Sequence, residues 1–135
     1  MKNLDFFPGV FAMLERLRSR FTLTVVSNGP LFSQKPKVEK LGLAEMVDHI
    51  VLGGALACQK PHPEIFYHAC RLSGCTPKDA IHVGDMLHID IAGAFAAGIE
   101  SVWVSGGQEH PELQPVPDHV IANIVELEEC LIGKI

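Results

Sequence analysis

The sequence predicts a three-layer α/β fold: a parallel sheet with helices on both faces. Short apolar, often β-branched runs alternate with amphipathic stretches along the whole chain, which is the pattern of strands joined by helical crossovers. Most of these runs close on Gly, Asn, Asp or Pro, the chemistry of turns. Polar residues suited to catalysis gather just past the run ends, and in such sheets ligands bind at the carboxyl ends of the strands. The 135 residues suffice for one domain with a real core, and 47% hydrophobic with 20% charged residues excludes a disordered chain.

Residues 8–19 form the first helix, with Pro8 in its first turn and Val10, Leu14 and Leu17 on one face, while Arg16, Arg18 and Arg20 point largely elsewhere. Phe21 to Val26 is a strand, and Ser27-Asn28-Gly29-Pro30 turns the chain at its end. A second helix spans residues 33–41, with Pro36 in its first turn and Gly42 as its stop. Residues 43–47 add a helical turn before the short strand His49-Ile50-Val51-Leu52, which ends at Gly53-Gly54. Beyond Lys60, Pro61 or Pro63 opens a helix whose Ile65, Phe66, Ala69 and Leu72 form one face until Gly74.

Ala80 to Gly84 is a buried strand that delivers Asp85, and the residues after it read as a helix with Asp90 near its start, where free N–H groups favour a carboxylate. Val102 to Val104 is a strand, residues 105–117 a polar loop, and His119 to Ile121 an edge strand. Asn123 and Glu126 make a capping box for a last helix carrying Leu127 and Leu131. Phe95 and Trp103 are expected in the core, and His82 as a half-buried strand residue without chemistry.

A net charge of −5 argues against a general nucleic-acid surface, so an anionic ligand must be received locally. Cys58, Cys70, Cys75 and Cys130 contain no Cys-x-x-Cys pair and read as packing residues of a reduced, intracellular protein. Asp5, Pro8 and Glu15 interrupt any signal-peptide core and no run is long enough to cross a membrane, so the expected location is the cytoplasm.

Ser27, Asn28, Lys60, Asp85 and Asp90 all lie at or just past expected strand ends. A hydroxyl, backbone amides, an ammonium and two acids describe a site for a phosphoryl group and a hard cation such as Mg²⁺. Ser27, with the N–H groups of Asn28 and Gly29, is assigned to the phosphoryl oxygens. Lys60 is assigned to the phosphoryl charge and a neighbouring carboxylate, Asp85 to the metal, and Asp90 to the metal and its water. His62 and His88 sit beside this group.

Taken together, these motifs resemble the haloacid dehalogenase-like (HAD) hydrolases, a superfamily of mostly Mg²⁺-dependent phosphatases with a Rossmann-like sheet. Phe7-Pro8-Gly9-Val10, Thr24-Val25-Val26-Ser27-Asn28-Gly29, Lys40-Leu41-Gly42-Leu43, Lys60-Pro61 with Pro63, Ile65 and Phe66, and Val83-Gly84-Asp85 with Asp90 carry the likeness over essentially the whole chain. The run from Lys60 to Trp103 resembles the N-acylneuraminate phosphatases and related sugar-phosphate and nucleotide phosphatases. The resemblance implies a phosphomonoester hydrolase acting on a small phosphorylated metabolite through an aspartyl-phosphate, with Lys60 and Asp85 in catalysis.

One departure changes the expectation. The family begins with a strand ending in Asp-x-Asp, whose first aspartate is the nucleophile, and these 135 residues contain no Asp-x-Asp. Met86 also stands where Ser or Thr is common in the family. By the resemblance, residues 1–135 are the part of the core domain that follows the cap, and the absent first strand belongs between those ending at Ser27 and Asp85. The strands must then close up or leave unpaired backbone groups, each costing on the order of 1–3 kcal/mol if buried. A partner chain or a further amino-terminal segment is expected to complete the sheet, and the isolated chain to turn over little or nothing. The alternative is a non-catalytic, regulatory domain that keeps the phosphate and metal pocket. A third reading, displacement at carbon as in the dehalogenases, is disfavoured by the Asp85 and Asp90 pair.

Overall fold

Five parallel strands and the helices between them account for most of the computed structural model, which describes residues 9–27, 43–53, 60, 62–108 and 116–132. Helix α1 (Val10–Arg18) leads into β1 (Thr24–Ser27), and the short α2 (Leu43–Met46) into β2 (His49–Leu52). Helix α3 (Pro63–Ser73) precedes β3 (Ile81–Gly84), which runs through a π turn (Leu87–Ile91) into α4 (Ala92–Ala97). Strand β4 (Glu100–Val104), β5 (His119–Ile121), a 3₁₀ turn (Ile124–Glu126) and α5 (Leu127–Cys130) complete the order.

Local chemistry sets the helix ends. The His62 ring accepts from the Glu64 N–H at 3.2 Å, Pro63 takes the first helical position, and Gly74 closes α3 at φ 73. Asn123 and Glu126 form the expected capping box, although it starts a 3₁₀ turn before α5 begins. The β1 strand is shorter than expected and is displaced towards Ser27. The expected helix over residues 33–41 lies outside the described residues.

Among the described residues the strands form two sheets, β1-β2 and β3-β4-β5, with every pairing parallel. Alternating side chains serve two cores. One face buries Val51 with Ile65, Phe66 and Ala69 of α3 and Ala94 and Ala97 of α4. The other packs Val102 and Ile121 against Met13 and Leu17 of α1 and Leu127 of α5. Strands β1 and β3 share a cleft of about 710 Å³ and do not close up on each other.

Two core assignments are corrected. Phe95 is 75% exposed, because the face of α4 that meets the sheet is the one carrying Ala94 and Ala97. Leu72 is likewise exposed, and Cys70 takes its place on the buried face of α3. Burial, helped by the neighbouring Cys75, raises the Cys70 thiol to about 11, which suits a packing residue. Cys58 lies outside the described residues. Among those described, no helix is long and apolar enough to cross a membrane.

Candidate active site

Lys60 follows β2 and Asp90 follows β3, yet Lys60 Nζ lies 2.6 Å from Asp90 Oδ1. This ion pair joins two sheets that share no ladder among the described residues, and it places the carboxyl ends of β2 and β3 on one edge. Ser27 ends β1 opposite Leu52 of β2, so it belongs to that same edge. Asn28 and Gly29 lie outside the described residues.

Asp90 is held from three sides. His82 Nε2 is 3.0 Å from Oδ1, and the Met86 N–H donates to Oδ2 at 3.2 Å. The side chains of Lys60, Asp90 and His82 are only 12%, 6% and 13% exposed. Burial alone would raise the Asp90 carboxyl, but the His82 hydrogen bond and the Lys60 charge outweigh it and bring the value to about 2. An ionised carboxylate only accepts, so His82 Nε2 carries the proton in this contact.

The backbone explains why Asp90 reaches back this far. The N–H groups of Ile89, Asp90 and Ile91 converge on the Met86 carbonyl at 3.2, 2.7 and 3.4 Å, so the expected helix start is a π turn instead. Such turns are rare and recur at functional sites. Gly84 permits the close approach, since a Cβ there would strike the Asp90 carboxylate. The His82 ring meets Phe66 edge-on, with centroids 4.8 Å apart, which fixes its plane.

Asp85 differs. It is exposed at the end of β3, and its backbone carbonyl accepts from the Trp103 indole N–H at 3.1 Å. A buried tryptophan thus anchors the main chain at the exposed Asp85. Among the described residues no three His, Cys, Asp or Glu side chains cluster as a metal site. Mg²⁺ commonly takes one or two protein carboxylates and completes its shell with water and phosphate oxygens, so Asp85 with Asp90 is a compatible donor set.

The structure therefore brings Lys60, Asp85, Asp90 and Ser27 to one edge. Sequence reasoning missed His82 and Trp103 as parts of the site. Strand alternation in β3 separates His82 from Ile81 and Val83, but the face on which an acid would return is not written in that pattern. His62 caps a helix, and His88 is exposed on the π turn.

A family model for "Haloacid dehalogenase-like hydrolase" matches residues 1–104. The chain belongs to the haloacid dehalogenase-like hydrolase family. It is 38% identical over 134 residues to the N-acylneuraminate-9-phosphatase of Rattus norvegicus, a match covering 97% of this chain and 54% of the relative. It is 32% identical to the glyceraldehyde 3-phosphate phosphatase of Pyrococcus furiosus, over 92% of this chain and 53% of that one. Among solved structures, a 2-haloacid dehalogenase from Pseudomonas syringae superposes with a TM-score of 0.85 at 34% identity, covering 96% of this chain and 54% of that one. A HAD phosphatase from Thermococcus onnurineus gives 0.84 at 30% identity, covering 94% and 58%. The chain spans about half the length of the curated relatives it matches.

Proposed function

We propose that this chain supplies the phosphate-binding and metal-binding part of a Mg²⁺-dependent phosphomonoesterase acting on small phosphorylated metabolites. The observation that carries the reading is the buried Lys60–Asp90 pair, with His82, at the edge where Ser27 and Asp85 also emerge. The phosphatase relatives support the reaction class.

Each residue has a task that follows from its chemistry. Ser27 donates a hydrogen bond to a phosphoryl oxygen, joined by the N–H groups of Asn28 and Gly29. Asp90 holds the Lys60 ammonium in place, so that its positive charge stands ready for the phosphoryl group without rotamer loss on binding. His82 and Lys60 keep Asp90 ionised, and the Met86 N–H helps to fix it. Asp85 and Asp90 would hold Mg²⁺, which when bound offsets charge on the phosphoryl oxygens. The attacking carboxylate comes from polypeptide outside these 135 residues, since no Asp-x-Asp is present.

The test is calorimetry with inorganic phosphate and Mg²⁺ on the 135-residue chain, paired with a phosphate-release assay on sugar phosphates and nucleotides. The expected result is phosphate binding that weakens on Ser27→Ala and Asp85→Asn, with no measurable turnover. Phosphate binding indifferent to both substitutions would overturn the site. Robust turnover lost on Asp85→Ala would overturn the assignment of the nucleophile elsewhere. A non-catalytic regulatory domain is the second reading, favoured by that same absence of Asp-x-Asp; it predicts tight phosphate binding and no phosphatase activity in the full-length protein.

A further inference from the structure

Helix α3 ends in two thiols that its own capping geometry brings together. The Gly74 N–H donates to the Arg71 carbonyl at 3.2 Å and the Cys75 N–H to the Cys70 carbonyl at 3.0 Å, with Gly74 at φ 73. In this paired closure the residue after the glycine folds back against the residue five positions before it. That contact is ordinarily apolar, and here both of its members are cysteines. Ordinary bond lengths and a 3.0 Å hydrogen bond leave the two Cα atoms at most about 7 Å apart, the outer limit for joining two cysteines. The two thiols are also hydrogen-bonded to each other. Both line the cleft between β1 and β3 and pack on one core, with Cys70 buried and Cys75 half-buried. Cys130, by contrast, packs on the other core.

We infer that Cys70 and Cys75 form a reversible disulfide site, closed by a low-molecular-weight disulfide such as oxidised glutathione and reopened by free thiols. The half-buried Cys75 reacts first: its thiolate attacks one sulfur of the oxidant, a mixed disulfide forms, and one glutathione thiolate leaves. Cys70 then gives up its proton and attacks the Cys75 sulfur, which releases the second glutathione. Two cysteine thiols are thereby oxidised, one glutathione disulfide is reduced, and the two protons end on the released thiolates. Burial, and after it Cys75, hold the Cys70 thiol at about 11 against the opposing charge of Arg71, so the second step is the slower one. Reduced, the pair packs as two small apolar side chains. Oxidised, it pins the cap beside Ser73, whose Oγ lies 2.6 Å from Thr24 Oγ1. Closure therefore stiffens the corner where α3 meets the amino end of β1, at the opposite end of that strand from Ser27.

The test treats the folded 135-residue chain with oxidised glutathione in mildly alkaline buffer and maps its thiols by mass spectrometry; it does not depend on the phosphate site. The expected result is a transient glutathione adduct on Cys75, followed by a Cys70–Cys75 disulfide lighter than the reduced chain by two hydrogen atoms. Exchange of the Cys75 amide should slow roughly tenfold on closure, and excess reduced glutathione should reverse both changes. Cys70→Ala should trap the adduct on Cys75, and Cys75→Ala should leave Cys70 unmodified. No reaction of the wild-type chain, an adduct that persists on it, modification of Cys70 ahead of Cys75, or a disulfide that takes Cys58 or Cys130 would overturn the inference.

Discussion

β4 and β1 are built from similar residues, Glu-Ser-Val-Trp-Val and Thr-Val-Val-Ser, and they meet opposite fates. β4 lies between two strands and buries its three central residues, while β1 has one partner among the described strands and stays half-exposed throughout. Burial here is decided by neighbours and not by β-propensity, which agrees with the context dependence of strand preferences. The two halves of the molecule are held across the open cleft by α3, which packs on β1 and β2, and by the Lys60–Asp90 pair.

Removing that tie is the strongest way to break the contrast. Asp90→Ala removes the buried carboxylate that Lys60 and His82 share and should destabilise the chain by about 3–5 kcal/mol, measured by urea unfolding. A double replacement, Lys60→Met with Asp90→Leu, should recover much of the loss, because no uncompensated charge remains. Gly84→Ala attacks the same contact from the strand. Its new methyl meets the Asp90 carboxylate and should cost about 1–3 kcal/mol, with the His82 ring resonances shifting in the NMR spectrum.

Acid probes the tie without mutation. Asp90 titrates at about 2 in the folded chain against an ordinary 3.8, so its contribution is complete above about pH 4 and is lost as the pH falls through 2. That contribution is about 2 kcal/mol, to be read as the difference in acid unfolding between the wild type and Asp90→Asn. The smallest expected effect sharpens the comparison between strands. Val102→Ala in β4 should cost roughly 2 kcal/mol, and Val26→Ala in β1 about half as much. Equal losses at the two positions would mean that β1 is as enclosed as β4.

The local elements were legible because their causes are local. Pro63 and Gly74 bound α3, the run His49–Leu52 is a strand, and Asn123 with Glu126 caps the 3₁₀ turn that leads into α5. The turn to Asp85 could be read from a short apolar run closing on Gly-Asp. Leu72 and Phe95 were misplaced because helical periodicity gives the width of an apolar face and not which flank of it meets the sheet. His82 and Trp103 went unrecognised for a related reason: one contacts an acid eight residues away, the other a carbonyl eighteen residues away.

By itself the sequence determined the order of elements, the parallel sheet, and which residues stand at strand ends, since turn chemistry and apolar periodicity act over a few neighbours. The tertiary structure alone decided that Lys60 and Asp90 pair across two sheets, that a π turn aims Asp90 back over Gly84, and that among the described residues β1 and β3 line one cleft without pairing. The pairing of Lys60 with Asp90 and the spacing of β1 and β3 depend on residues tens of positions apart, and the π turn, though local, ends in a carboxylate whose partners the assembled layers supply.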